Sequence, residues 1–348
     1  MMIRDAKINS QLGKSIAMKK IIILVLLSFA SIVGLFAFSP LPTLWLLQHT
    51  LFSVPKDDRP KQYLDQQVMV FKDLVYPSKL PNNSFDFYKA NPSVDKQALV
   101  IWVHGGGFVG GDKLEVKNYA TRLASQGYAV IVLNYQLVPA AKYPEPVMQV
   151  AEAVTYIKKS FAPTNHLNMS NIFLAGDSAG AQIALQFLLT QSNPEYSALL
   201  KIPNLIDMSD IRGALLYCGP YDLKNMVLQA NSTISRFAFH RIGWAYLKDK
   251  DWLSNNENRG LIVSEYLNAQ LPPIYLTDGN TASFEQQARL LHKQLTHIGI
   301  PTSTRFFDQA SYLTAHEYQF ELETEAAKLA LQDTLLFLEK NRLQKKTN

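Results

Sequence analysis

From residue 68 onward, short apolar runs alternate with helical patterns, and this alternation leaves few folds open to the chain. The apolar, β-rich runs lie at 68–75, 85–88, 98–104, 129–135, 171–176, 213–218, 273–277 and 302–307. Helical patterns lie between most of them, at 147–161, 179–189, 284–297 and 321–339. Because short apolar strands separated by helices must be covered on both faces, this order predicts an α/β fold with a mostly parallel central sheet and helices on both sides. In such sheets the residues that bind ligands collect at the carboxyl ends of the strands.

Cysteine content and charge limit the chemistry and the partners. The single cysteine, Cys218, excludes a disulfide framework and leaves too little sulfur for a metal site built on thiolates. Catalysis would therefore rest on oxygen and nitrogen side chains. Much of the net charge of +5 lies in residues 1–20 and 339–348, which leaves a near-neutral body. A nucleic-acid partner would need a concentrated basic face on the folded domain, so we expect none.

An uncharged stretch near the N-terminus has the length of a membrane span. No charged residue lies between Lys20 and Lys56, and residues 21–38 are almost continuously apolar. As a helix they would span about 27 Å, close to the roughly 30 Å hydrocarbon core of a bilayer. No small-residue cleavage pattern follows this run, so we favour a retained membrane anchor over a cleaved secretory signal. The basic residues before the run place the body outside the cytoplasm, either anchored to the membrane or, after cleavage, secreted.

Composition divides the chain into segments, and one long insertion interrupts the alternation. The predicted segments are a basic cytoplasmic segment at 1–20, the transmembrane anchor or signal segment at 21–38, a linker or interfacial segment at 39–65, the α/β domain at 66–340 and a basic tail at 341–348.

Residues 223–270 separate two strands and are rich in aromatic residues. Because connections of this length usually carry function or structure of their own, we interpret them as a helical cap over the site, with a plain surface insertion as the alternative.

A serine lies where a predicted strand turns sharply into a predicted helix. Residues 171–180 read NIFLAGDSAG, which contains the G-x-S-x-G pattern with a strand before it and a helix after it. In that context the flanking glycines permit a crowded turn that lifts the hydroxyl of Ser178 above the sheet edge, near a helix N-terminus that favours negative charge. Ser178 is therefore the candidate nucleophile, with an ordinary turn as the alternative. Asp177 is expected to hold the turn or the upstream loop by hydrogen bonds.

A glycine-rich loop follows an earlier predicted strand and reads HGGGF at 104–108. Acyl transfer needs amide donors aimed at the oxyanion of a tetrahedral intermediate, and consecutive glycines let backbone N–H groups approach it closely. We predict that the amides of Gly105, Gly106 and Ala179 form this oxyanion hole. His104 is expected to make structural hydrogen bonds at the base of the loop.

The same glycines allow a second interpretation, a dinucleotide site. Gly105, Gly107 and Gly110 satisfy G-x-G-x-x-G after a strand. Such a site needs an acidic residue at the end of the next strand, and residues 133–135 read LNY, with none. The pattern therefore favours an oxyanion loop over a nucleotide-binding loop.

A base and an acid for the serine can be chosen by their place after predicted strands. His316 lies in a loop after the last strand, where the base would be expected. In the chain order serine, acid, histidine, the acid should follow the strand at 273–277, and Asp278 stands there. We predict that His316 takes the proton of Ser178 and that Asp278 orients the imidazole. This chemistry requires no metal and no organic cofactor.

Together the HGGGF loop, the GDSAG elbow and the trailing Asp278 and His316 resemble the α/β-hydrolase superfamily, and within it the hormone-sensitive-lipase-like branch that includes bacterial acetyl esterases. Residues 134–139 (NYQLVP) are similar to the family's Y-R-L-x-P segment, and the resemblance covers roughly residues 66–338. It implies an α/β-hydrolase fold and a serine carboxylesterase that hydrolyses short- to medium-chain acyl esters, acetyl esters among them, through an acyl-enzyme. The substrate would be a small-molecule ester or an acylated polymer.

The sequence departs from the family pattern at the acid. The family's acid usually lies in a D-P-L-like segment a few residues beyond the strand, whereas residues 279–284 read GNTASF, so that Asp278 stands about three residues early. Glu285 is the first alternative acid, followed by Asp308 and Glu317. A serine peptidase or amidase on the same fold, and a surface binding module with an impaired site, are the alternative functions.

Overall fold

One mixed sheet organises the protein. The computed structural model describes residues 2–54, 62–64, 67–90, 98–255 and 258–343. The strands in these ranges are β1 Gln62–Leu64, β2 Val68–Val75, β3 Ser84–Ala90, β4 Leu99–Val103, β5 Ala129–Leu133, β6 Ile172–Asp177, β7 Ile211–Tyr217, β8 Ile274–Thr277 and β9 Thr302–Arg305. They pair in the order β1-β2-β3-β5-β4-β6-β7-β8-β9. The pairs from β1 to β5 are antiparallel and those from β5 through β4 to β9 are parallel, which confirms the predicted mostly parallel sheet.

Helices cover both faces of this sheet. In the described ranges they are α1 Met2–Phe38, α2 Leu41–His49, α3 Lys117–Ser125, α4 Glu145–Tyr156, α5 Ala162–Asn165, α6 Ala179–Ser192, α7 Pro194–Leu200, α8 Leu223–Leu228, α9 Thr233–Leu247, α10 Glu285–His297 and α11 Glu325–Asn341. All of β4 is buried, and its residues alternate between two clusters. Ile101 and Val103 pack with residues of α4, α6 and α10, whereas Val100 and Trp102 pack with residues of α3 and α11. A central strand covered on both faces is expected to read as such a continuous apolar run.

The parallel strands bring the predicted site residues to one edge of the sheet. The glycine-rich loop follows β4, Ser178 follows β6 and Asp278 follows β8. Strands β4 and β6 are neighbours, and β8 is separated from β6 only by β7. His316 lies in the connection between β9 and α11. The carboxyl ends of parallel strands are where an open α/β sheet binds its ligands, so this edge is the place for a site.

The N-terminal helix carries a long apolar segment. Met18–Phe38 contains 21 residues with a mean hydropathy of 2.9, and none of it is buried against the rest of the protein. At 1.5 Å per residue this segment is about 32 Å long, enough to cross the hydrocarbon core of a bilayer. Its length and composition are those that a membrane anchor or a signal sequence requires.

The segment after this helix packs on the α/β body. Leu44 of α2 is buried in the main core, and Gln48 Nε2 donates to the carbonyl of Val109 at 2.6 Å. Phe52 lies against the glycine-rich loop, in the space that a side chain at Gly107 would occupy. The first part of the predicted 39–65 linker is therefore a docked helix, while residues 55–61, 65 and 66 lie outside the described ranges.

The insertion at 223–270 is helical where the structure describes it. It contains α8 and α9, followed by single 3₁₀ turns at Arg259–Leu261 and Val263–Glu265. Ser232 begins α9 by accepting a hydrogen bond from the amide of Ser235, a common N-cap arrangement. Helix α9 also packs against α2, so the insertion and the N-terminal segment meet near the glycine-rich loop.

Candidate active site

Ser178 occupies a strained turn between β6 and α6. Its backbone has φ 48° and ψ −122°, a conformation that non-glycine residues rarely adopt. The turn is crowded because α6 begins directly against β4, and a Cβ at Gly180 would overlap the carbonyl oxygens of Val103 and His104. Glycine at this position therefore permits the approach, and the serine hydroxyl is held at the sheet edge above the start of α6.

The structure brings His316 to Ser178. His316 Nε2 lies 3.0 Å from Ser178 Oγ, a hydrogen-bond distance. Burial lowers the pKa of His316 to about 4, so the imidazole is neutral near pH 7 and can accept the serine proton. The ring of Phe284 contacts the imidazole edge-on, with centroids 5.3 Å apart. The predicted nucleophile and base therefore meet in a geometry suited to proton transfer.

Asp278 reaches His316 through an intervening hydroxyl. Ser283 Oγ donates to Asp278 Oδ1 and lies 2.7 Å from His316 Nδ1. Among the described side chains, Asp278 makes no direct hydrogen bond to His316. Burial raises the pKa of Asp278 to about 7, although hydrogen bonds from Ser283 and from the amides of Phe284 and Gly279 oppose the shift. Ser283 therefore stands between the predicted acid and the predicted base, and the sequence predicts no role for it.

The three alternative acids do not contact His316 Nδ1 among the described hydrogen bonds. Glu285 pairs with Arg289 one turn along α10, with Oε1 2.7 Å from Nη2. Asp308 is exposed and accepts a hydrogen bond from its own loop. Glu317 Oε1 lies 3.8 Å from His316 Nε2, the nitrogen that faces the nucleophile. In the hydrogen bonds of the described residues, none of the three contacts His316 Nδ1, where an orienting acid acts.

The glycine-rich loop presents backbone amides near Ser178. Gly106 has φ 99°, and a Cβ there would overlap the carbonyl of Gly110, so glycine is required. Its own carbonyl accepts from the amides of Val109 and Gly110, which closes a tight turn. Within the described ranges the amides of Gly106 and Gly107 bond no acceptor, and Ala179 stands at the first position of α6, where amides are free. These three amides are available to an oxyanion.

The amide of Gly105 has a different partner, which corrects one prediction. It donates to Asp177 Oδ2 at 2.8 Å, while Asp177 Oδ1 accepts from Trp102 Nε1 at 2.6 Å. Gly105 is therefore committed to holding the loop, and its predicted role as an oxyanion donor is wrong. The hydrogen-bonding role predicted for Asp177 is confirmed, because the carboxylate ties the elbow to the strand and to the loop.

His104 also supports the loop rather than the chemistry. It is fully buried, its Nδ1 lies 2.8 Å from the carbonyl of Gly105, and its ring stacks on Tyr135 at 4.5 Å. Burial lowers its pKa to about 4, so it remains neutral. The structural role predicted for His104 is confirmed by these contacts.

Three carboxyl groups, those of Asp177, Glu115 and Glu317, lie together next to the glycine-rich loop. Asp177 and Glu317 share a hydrogen bond. Burial raises the pKa of Asp177 to about 6. Burial and the nearby charge of Asp177 raise the pKa of Glu115 to about 7 and that of Glu317 well above its ordinary value. Nearby carboxyl groups that cannot all ionise share protons, so this cluster is less negative near pH 7 than its composition suggests.

Neither a nucleotide nor a metal fits this arrangement. Phe52 fills the face of the glycine-rich loop that phosphates would approach, against Gly107 and Gly110. Ligand atoms of Cys218, Asp278 and His316 lie within 4.8 Å of one another. However, both imidazole nitrogens already contact serine hydroxyls, and burial raises the pKa of the Cys218 thiol well above its ordinary value. A metal site would need a free imidazole nitrogen and a thiolate, so this group does not suit one.

A cavity of about 440 Å³ opens beside the loop that follows β8. The insertion contributes Met226, Ser235 and Phe239 to its wall, and the loop after β8 contributes Ser283 and Phe284. Phe239 and Phe284 are in ring contact with centroids 6.1 Å apart. The insertion therefore reaches the loop that carries Ser283 and Phe284, beside the candidate site.

Solved structures of esterases share this fold. Esterase B from Lactobacillus rhamnosis is 23% identical with a TM-score of 0.66, over 80% of this chain and 88% of that one. A bacterial heroin esterase is 18% identical with a TM-score of 0.65, over 89% and 93%. A Pyrobaculum calidifontis esterase is 16% identical with a TM-score of 0.63, over 90% and 94%. These likenesses confirm the α/β-hydrolase fold.

A family model matches the part of the chain that carries most of the predicted site residues. The BD-FAE family model matches residues 85–295, more than half of the chain, a range that holds the glycine-rich loop, Ser178 and Asp278. His316 lies beyond that range and is placed by the geometry of its contact with Ser178. The chain therefore belongs to the BD-FAE family, within the α/β-hydrolase superfamily that its motifs resemble.

Proposed function

We propose that the protein is a serine carboxylesterase that hydrolyses short- to medium-chain acyl esters through an acyl-enzyme. The observation that carries this proposal is the 3.0 Å contact between Ser178 Oγ and His316 Nε2 at the nucleophile elbow. The esterases among its structural neighbours support it. The test is hydrolysis of a p-nitrophenyl ester series by the wild type and by Ser178→Ala. Hydrolysis of peptide anilides without hydrolysis of esters would contradict the proposal.

The reaction proceeds in two halves through the same groups. Ser178 Oγ attacks the ester carbonyl carbon while its proton passes to His316 Nε2, and a tetrahedral oxyanion forms. His316 then gives that proton to the leaving alcohol oxygen as the C–O bond breaks, which leaves Ser178 acylated. Water enters, His316 takes one of its protons, and the hydroxide oxygen attacks the acyl carbon. Collapse of the second intermediate returns the proton to Ser178 and releases the acid.

The oxyanion of both intermediates would be bound by the amides of Gly106, Gly107 and Ala179. Each is a backbone donor fixed before the reaction begins, either by the tight turn of the loop or by the start of α6. A preorganised donor of this kind is typically worth about 3 kcal/mol in the transition state. Gly107 replaces Gly105 in this set because the Gly105 amide is bonded to Asp177.

The proposed substrate class rests on two observations. The rings of Phe239 and Phe284 form an apolar part of the wall of the cavity of about 440 Å³, which also includes Ser283 and so adjoins the site. Esterase B from Lactobacillus rhamnosis has been solved with a C4-C4 SN3 tributyrin phosphonate inhibitor. Acetyl and butyryl esters of small alcohols or of acylated polymers are therefore the proposed substrates.

Asp177→Asn is expected to lower kcat for p-nitrophenyl acetate by about 10- to 100-fold, comparable to partial loss of an oxyanion donor. Trp102 Nε1 and the Gly105 amide donate to different oxygens of Asp177, and asparagine replaces one of those oxygens with an NH2 group, which donates and cannot accept. The glycine-rich loop then loses one of its anchors. Steady-state kinetics give kcat, and Asp207→Asn at an exposed turn is the matched control. An unchanged kcat for Asp177→Asn would show that this carboxylate does not position the loop.

The apolar N-terminal helix is proposed to be a retained anchor with the catalytic body outside the cytoplasm. Basic residues precede the Met18–Phe38 segment, and α2 is docked on the body directly after it. We expect protein from the membrane fraction to keep residues 21–38 when its intact mass is measured. A mature chain that starts near Ser39 would instead identify the segment as a cleaved signal peptide.

A further inference from the structure

Ser283 joins the two ends of the catalytic hydrogen-bond chain. Its hydroxyl donates to Asp278 Oδ1 and lies 2.7 Å from His316 Nδ1. A hydroxyl has one hydrogen to donate and lone pairs to accept with, while the carboxylate of Asp278, once it is ionised above its pKa of about 7, only accepts. The hydrogen of Ser283 is therefore directed at Asp278, and its lone pair accepts the Nδ1 proton of His316. This leaves His316 Nε2 without a proton, as the base facing Ser178 requires.

The gap between acid and base is the size that one hydroxyl fills. Ligand atoms of Asp278 and His316 lie within 4.8 Å of each other but share no hydrogen bond among the described residues. Asp278 follows β8, and the amides of Gly279 and Phe284 lie beside its carboxyl group. Its other carboxylate oxygen, Oδ2, is buried and without a hydrogen-bond partner. The Asp278 carboxylate therefore does not contact the imidazole of His316 directly, and the Ser283 hydroxyl connects the two groups.

We propose that Ser283 is a positioning residue that transmits the effect of Asp278 to His316, so that the machinery is a four-residue chain of Asp278, Ser283, His316 and Ser178. This inference rests on the proposed esterase function. No proton needs to leave Asp278 in the cycle. The polarised hydroxyl holds the imidazole tautomer, and it stabilises the imidazolium that forms when His316 takes the proton of Ser178.

The loop around Ser283 is built to hold that hydroxyl in place. The amide of Asn280 donates to Thr314 Oγ1 at 3.1 Å, and the amide of Thr281 donates to the Thr314 carbonyl at 2.9 Å. On the other side, the ring of Phe284 packs on the imidazole of His316. The loop after β8 and the loop that carries His316 are therefore tied together on both sides of Ser283. A serine with these constraints loses little side-chain freedom in forming the two hydrogen bonds.

Ser283→Ala is expected to lower kcat for p-nitrophenyl butyrate by about 10²- to 10³-fold with KM changed less than about threefold, because the lost interaction acts in the transition state. Ser283→Thr keeps the hydroxyl, and the adjacent cavity leaves space for its methyl group, so it should recover kcat to within about tenfold of wild type. Thr281→Ala, which deletes an exposed hydroxyl in the same loop, is the matched control and should keep wild-type kcat. Thermal unfolding of each variant reports on the fold.

A double-mutant cycle separates this role from a structural one. If Ser283 and Asp278 act through one chain, Ser283→Ala combined with Asp278→Asn should lose no more kcat than the worse single variant. Additive losses would show that the two residues act independently and would overturn the inference. So would a Ser283→Ala enzyme with kcat within about threefold of wild type, which would mean that Asp278 reaches His316 without the hydroxyl.

The same measurements separate the esterase function from the role of Ser283. Ester hydrolysis and fluorophosphonate labelling by the wild type, both absent in Ser178→Ala, establish the esterase function independently of Ser283. An active wild type with an equally active Ser283→Ala contradicts only the four-residue chain. A wild type that neither hydrolyses the ester nor reacts with the fluorophosphonate contradicts the proposed function and the inference together.

Discussion

Ser178→Ala is expected to lower kcat/KM for p-nitrophenyl acetate by about 10⁴-fold or more. The hydroxyl oxygen is the atom that forms the acyl-enzyme, and Cys218, the single thiol of the chain, is poorly suited to replace it. Cys218 is buried, and its thiol donates to Gln319 at 3.4 Å. Burial also raises the pKa of that thiol well above its ordinary value, so little thiolate forms. What hydrolysis remains would come from the oxyanion hole and binding alone.

The fold should survive the loss of this hydroxyl. Alanine can occupy the φ 48° backbone of the elbow at no more strain than serine, because both carry a single Cβ. We therefore expect the midpoint of thermal unfolding to stay within a few degrees of wild type. Ser311→Ala, in the exposed loop that precedes His316, is the control for serine deletion. Hydrolysis by Ser178→Ala within tenfold of wild type would remove Ser178 from the mechanism.

The sequence predicts this site well where the chemistry coincides with a local pattern. The G-x-S-x-G turn is local, since strand, nucleophile and helix are contiguous along the chain, and the structure places Ser178 at that turn. The position of His316 after the last strand also predicts its role, because the sheet topology brings that connection to the same edge. The contact between the two at 3.0 Å follows from parallel strands whose carboxyl ends share one edge.

The sequence does not predict contacts that depend on side-chain distances between separate loops. Gly105 and Gly106 are adjacent glycines that the sequence does not distinguish. Only the position of the Asp177 carboxylate shows that the Gly105 amide is already hydrogen-bonded. Ser283 is one serine in a loop without periodicity, and its role depends on a gap between Asp278 and His316 that the chain order does not reveal. The departure of residues 279–284 from the family's D-P-L segment was the available signal, because a displaced acid needs something to bridge the distance.

The docked helix α2 was missed for a related reason. Residues 41–49 continue the apolar composition of the helix before them, so composition alone assigns them to a linker or interfacial segment. The structure shows that Leu44 is buried in the core and that Gln48 bonds the glycine-rich loop. Which side of an apolar helix meets protein rather than lipid depends on the surface it packs against. That surface forms only when β4, its loop and α9 are assembled.

Asp278→Asn is expected to lower kcat by about 10³- to 10⁴-fold, whereas Glu285→Gln should change kcat by less than about threefold. Asparagine cannot carry the negative charge that stabilises the imidazolium of His316 through Ser283. Glu285 is paired with Arg289 on α10 and does not contact His316 Nδ1 among the described hydrogen bonds. Kinetics on p-nitrophenyl acetate measure both variants, and a larger loss for Glu285→Gln would assign the acid to Glu285 instead.

The pH dependence of stability gives Asp278→Asn a second, opposite signature. Desolvation raises the pKa of Asp278 to about 7 in the folded protein, above its unfolded value of about 3.9. A carboxyl with a raised pKa contributes stability that is full below the unfolded pKa and is lost as pH rises through the folded pKa. Asparagine has no such loss, so the unfolding midpoint of Asp278→Asn relative to wild type should be higher at pH 8 than at pH 5. A variant that loses activity while gaining relative stability at high pH would identify a buried carboxylate kept for catalysis, whereas lower stability at both pH values would indicate a structural role.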